Sequence, residues 1–164
     1  ANLIMDAVKS KNYAIIDKRA NEYVAFRYSY CKTALALMFT QEVAAEVSKP
    51  LFERVKKFYP QTDWTLAAEK ADKEELEAVR ILMCMASILP ETIPGIEGDD
   101  ALAKKAVETC VEMAKSKDTL NPKNFEFLRG FAMVLGSGIK KDVKGGLAIM
   151  KETSSTTTLN GARV

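Results

Sequence analysis

Between Lys9 and Lys32, the cations Lys9, Lys11, Lys18, Arg19, Arg27 and Lys32 are interleaved with Tyr13, Tyr23, Tyr28 and Tyr30, against only Asp17 and Glu22. Basic side chains neutralise phosphates, and aromatic faces stack on unpaired bases, so this segment could grip a single-stranded nucleic acid. In that reading the six cations follow the backbone, and Tyr28 and Tyr30 supply stacking surfaces. The competing reading is structural. A helix turns half of these residues away from the other half, and tyrosines at helical spacing line a core. No standard RNA- or DNA-binding motif accompanies the segment.

Catalytic chemistry is narrowed by an absence: the chain contains no histidine. Ser-His-Asp and Cys-His nucleophiles, His-ligated zinc, His-ligated haem and facial-triad iron all require an imidazole. Cys31, Cys84 and Cys110 are odd in number and far apart, which argues against a disulfide framework and for a reducing compartment. None forms the close pair of a structural zinc site, so three buried thiols are expected. Glu91, Glu97, Asp99 and Asp100 gather acids without the alternating pattern of a calcium loop, and capping and solubility account for them. Gly136-Ser137-Gly138 followed by Lys140-Lys141 invites comparison with a phosphate loop. The glycine spacing is wrong, however, and a helix precedes it instead of a strand, so a helix C-cap and turn is the better reading. Paired carboxylates need only meet in the fold, and nothing in the sequence points to them. Binding without catalysis is expected, with no catalytic residue, cofactor or metal.

The elements that position these groups read as helices. A length of 164 residues suits one domain, and 48% hydrophobic with 28% charged residues is globular composition. Apolar residues recur at three-to-four spacing from Asn12 to Phe39, as in one long helix or two joined ones. Pro50 stands where a short helix would begin, and Pro60 closes it. Asp72 and Glu75 form a capping box before a run that is apolar almost all round to Leu89, predicting a central helix. A loop with Pro90, Pro94, Gly95 and Gly98 follows, and Asp99 or Asp100 caps the next helix. Asn121-Pro122 pairs a cap with proline at the first helical position. That helix stops at Gly136-Ser137-Gly138, and a last one runs from about Asp142 to Glu152. The expectation is an all-α single domain over 1–152, with six to eight helices, and a mobile Thr-rich tail over 153–164.

Within this pattern, Gly130, Gly136, Gly138, Ile139, Asp142, Lys144 and Leu147 resemble one Sel-one-like repeat, a relative of the tetratricopeptide repeat. That family pairs two helices around a glycine-rich turn; Arg129, Met133 and Gly146 depart from its preferred Leu, Tyr and Ala. Independently of the family, glycines at 136 and 138 permit a tight turn, and Asp142 can cap the following helix. The match covers residues 128–147, and no second clean copy is found. The resemblance implies a scaffold or adaptor that presents a surface to protein partners.

Charge is unevenly distributed: residues 1–59 carry a net +4, residues 60–119 a net −6 and residues 120–164 a net +4. Basic ends and an acidic middle suit head-to-tail self-association, nucleic-acid contact, or simple solvation of a helical domain. No apolar run approaches the roughly 20 residues of a spanning helix, and the N-terminus does not read as a signal peptide. An intracellular, cytoplasmic protein without a membrane partner is expected. Two functions remain open: a protein-interaction module using the C-terminal helices, or a self-assembling nucleic-acid-associated coat or nucleoprotein using the basic N-terminal segment.

Overall fold

A computed structural model describes residues 2–67 and 72–156. Among the described residues, eight α-helices follow one another: α1 (Asn2–Ser10), α2 (Ala14–Glu22), α3 (Val24–Phe39), α4 (Ala45–Phe58), α5 (Lys73–Ile88), α6 (Asp100–Lys115), α7 (Pro122–Leu135) and α8 (Val143–Thr156). Short 3-10 turns at Gln61–Asp63 and Pro90–Thr92 shape the connections on either side of α5. No strand occurs among the described residues. None of the helices described is long and apolar enough to cross a membrane.

The all-round apolar run after Arg80 places α5 at the centre, where it packs on α3, α6 and α7. Leu76, Val79, Met83, Cys84, Ala86 and Ile88 are all buried there. A single core cluster runs from Ile4 in α1 to Ala132 in α7, and α8 closes the stack against α7. Of the two arrangements open for Asn12–Phe39, one long helix or two joined ones, the chain adopts the second: α2 and α3 meet at the extended backbone of Tyr23.

Three local readings are corrected by packing. Pro50 does not open α4: the helix begins at Ala45 and carries the proline inside it. Pro50 and Glu46 are both exposed, so water can serve the Glu46 carbonyl that proline cannot bond. The capping box is only half made. Asp72 Oδ1 accepts from the Glu74 N–H at 2.8 Å, while Glu75 turns away to pair with Lys32 at 3.4 Å. The last helix does not end at Glu152 but continues through Thr156. Thr153 is buried, and its hydroxyl donates to the Ile149 and Met150 carbonyls at 2.9 and 3.1 Å, so its polar group is satisfied inside the helix. What remains of the expected tail, 157–164, lies outside the described residues.

Candidate functional site

The C-terminal hairpin is built from glycine contacts. Gly136 ends α7 in the left-handed region (φ 71°), its N–H bonded to the Ala132 carbonyl. Gly138 is also left-handed (φ 71°) and presses on α6, where a Cβ would lie 2.3 Å from the Ala103 carbonyl oxygen. Between them, Ser137 Oγ donates to the Ile88 carbonyl at 2.8 Å and ties the turn to the end of α5. Asp142 then caps α8 through its Oδ1, which accepts from the Gly145 N–H at 2.9 Å. The three turn residues read from the sequence, Gly136, Gly138 and Asp142, thus act together.

Beyond the turn, α7 and α8 run antiparallel with their backbones in contact at Gly130 and Gly146. One flank of α8, with Gly146, Ile149 and Thr153, faces inward; Gly146 and Thr153 are buried. The other stays open: Val143 is 43% and Leu147 53% exposed, and Leu135 at the end of α7 is 41% exposed. Val143 and Leu147 are four residues apart and share a face, which half-buried Met150 continues. Lys144 and Lys151, seven apart, form an exposed basic edge beside that strip, and exposed Lys140 and Lys141 flank its start. The result is a narrow apolar ridge with a lysine border on a close-packed hairpin.

The N-terminal candidates do not assemble as one surface. Tyr28 and Tyr30 are 5% and 1% exposed, so the expectation that they stack on bases is corrected: both are core residues. Tyr28 meets Tyr59 edge-on at 5.7 Å between ring centres, and Tyr30 packs on Phe58 at 5.8 Å. Burial pushes the Tyr30 phenol up, nearby Asp17 adds to the effect, and the hydroxyl lies 3.5 Å from the Asp17 carboxylate. Arg27 is spent on the fold: its Nε donates to the Ala20 carbonyl at 2.7 Å, closing α2. Lys32 is paired with Glu75. Lys9, Lys11, Lys18 and Arg19 remain exposed. Of these, Lys18 and Arg19 line an open cleft with Ile15, Glu22, Tyr23 and Phe26. Tyr23, passed over in the sequence reading in favour of Tyr28 and Tyr30, is the tyrosine of this segment left outside, at 60% exposure.

Cys31, Cys84 and Cys110 are all buried and unbridged. Burial pushes the Cys31 thiol up to about 12. Glu91, Glu97, Asp99 and Asp100 are exposed, and Asp99 Oδ1 caps α6 by accepting from the Ala101 and Leu102 N–H groups at 3.0 and 3.3 Å.

Sequence reasoning missed Glu77. Its two carboxylate oxygens accept the N–H groups of Leu120 and Asn121 at 2.7 and 2.9 Å, so α5 caps the entry to α7. Asn121 itself makes no side-chain cap bond. A contact spanning more than forty positions leaves no local signature that could have found it. No family model, curated protein sequence or solved structure matches the chain.

Proposed function

We propose that this chain is a protein-interaction module that works by binding, and that the open face of α8 is its contact surface. The observation that carries the reading is the apolar strip of Val143 and Leu147, held on a close-packed hairpin and edged by Lys144 and Lys151. Exposed leucine and valine on one helical face suit the apolar face of a partner helix. The lysine border selects acidic flanks on that partner, since complementary charge sets specificity and association rate. The resemblance to a Sel-one-like repeat adds the expectation of a scaffold. The three buried, unbridged thiols fit a reducing, intracellular setting.

A second reading keeps the nucleic-acid function in reduced form. Lys18, Arg19 and exposed Tyr23 around one cleft favour it, with cations for phosphates and one ring for a base. Titrations of the intact protein with two labelled probes, an acidic amphipathic peptide and a single-stranded oligonucleotide, separate the readings. The first expects saturable peptide binding that Leu147→Glu removes. Binding of the oligonucleotide alone, lost in a Lys18→Glu/Arg19→Glu variant, would replace it with the second.

A further inference from the structure

Arg80 sits in the middle of α5 and is only 5% exposed. Its Nε donates to the Trp64 carbonyl and its Nη2 to the Leu66 carbonyl, the latter at 3.0 Å. No carboxylate among the described residues pairs with it. The Tyr59 hydroxyl is a further hydrogen-bonding neighbour, but neither it nor the two carbonyls is a counter-ion, and an ion without one is costly to hold in a protein interior.

The opening beside Arg80 is a pocket of about 100 Å³, with Thr65, Lys73, Glu77, Ser116 and Asp118 among its polar lining. Glu77 accepts the amides of Leu120 and Asn121 and makes no ion pair with the guanidinium. Lys73, Thr65 and Ser116 add a cation and two hydroxyl donors around the same space. Leu76 and Met113 supply apolar wall.

We infer that this pocket binds a carboxylate group, with Arg80 as its principal donor. The planar fork of arginine matches a carboxylate, and the hydrogen bonds are charge-assisted. Glu77 and Asp118 on the lining weigh against a dianion, which makes a singly charged carboxylate the better fit than phosphate. Two sources share this chemistry: a small free carboxylic acid, or the C-terminal carboxylate of a peptide.

Amide chemical shifts of the isotope-labelled protein, followed during titration, test the assignment. The probes are acetate, an acetylated alanyl-alanine with a free C-terminus, the same peptide amidated, and inorganic phosphate. Saturable shifts centred on Thr65, Lys73, Arg80 and Ser116 are expected with acetate and the free peptide, and none with the amidated peptide. Tighter binding of the free peptide than of acetate identifies a C-terminus as the source, and the reverse identifies a small acid. Lys73→Gln, a change at an exposed rim residue, should weaken binding about twofold to fivefold without altering the fold. Failure of acetate and the free peptide to saturate in the millimolar range would overturn the proposal, as would shifts scattered over the surface lysines. Phosphate binding at these residues as tightly as acetate would also overturn it.

Discussion

Gly130 and Gly146 bring the backbones of α7 and α8 into contact: a Cβ on Gly146 would lie 2.5 Å from the Gly130 carbonyl oxygen and 2.9 Å from the Val134 nitrogen. Real side chains do not tolerate that distance, and the obstacle is backbone, which has no rotamer to escape into. The contact explains why α8 holds its place although it packs almost entirely on one neighbour. A close-packed hairpin is what allows the outer face of α8 to act as a surface.

Gly146→Ala should therefore destabilise the protein, even though alanine in a helix interior gains about 1 kcal/mol over glycine. Overpacking against fixed backbone costs about 1–3 kcal/mol, with the upper end expected here, so a net loss of roughly 1–2 kcal/mol should appear in urea denaturation. Gly98→Ala is the contrast: a Cβ there meets nothing nearer than the Pro90 ring at 3.8 Å, and the change should stay within about 0.5 kcal/mol. Equal stability of the two variants would show that the hairpin is not locked by this contact.

That pair also shows where sequence reasoning reached and where it stopped. Gly136, Gly138 and Asp142 announce a turn because positive φ and helix capping are local demands, met by residue type alone. Gly146 reads only as a departure from a repeat pattern until Gly130 is seen opposite it. The same division separates Tyr23 from Tyr28 and Tyr30. All three fit a basic, aromatic segment, and only the packing of Phe58 and Tyr59 from elsewhere in the chain decides which rings are buried. Helix number and the central place of α5 were legible because periodicity and apolar density are properties of a segment. The Arg80 pocket was not, since its lining comes from three stretches of chain.

Glu77 offers a test of tertiary capping. Glu77→Ala leaves the N–H groups of Leu120 and Asn121 without their carboxylate, and a loss of about 1–3 kcal/mol is expected. Glu77→Gln keeps one acceptor oxygen and should cost less. Faster hydrogen exchange at those two amides, confined to the start of α7, would accompany the loss. Unchanged exchange in Glu77→Ala would place the cap elsewhere.

Alkaline pH should weaken the fold. Burial pushes the Cys31 thiol from 9.0 up to about 12, with Arg27 opposing in part. The unfolded chain gives up this proton first, so the stability held by the protonated thiol is intact below about pH 9 and lost as pH rises towards about 12. Tyr13, Tyr28, Tyr30 and Tyr59 are pushed up by burial and act in the same direction. Cys84 is also raised, chiefly through its hydrogen bond with Cys110. Urea midpoints should fall from about pH 9 upward, and Cys31→Ala should flatten that fall while lowering stability at neutral pH. A midpoint that stays level through that range would contradict the burial of these groups.

The most direct test of the interaction face is a charge swap read by peptide binding. Two labelled amphipathic peptides share the same leucine face, one flanked by glutamates and the other by lysines. Wild-type protein should bind the glutamate-flanked peptide and lose affinity as salt is raised. A Lys144→Glu/Lys151→Glu variant, altered only at exposed positions, should reverse the preference and bind the lysine-flanked peptide. Binding of neither peptide by wild type, or an unchanged preference in the variant, would contradict the assignment of the α8 face as the contact surface.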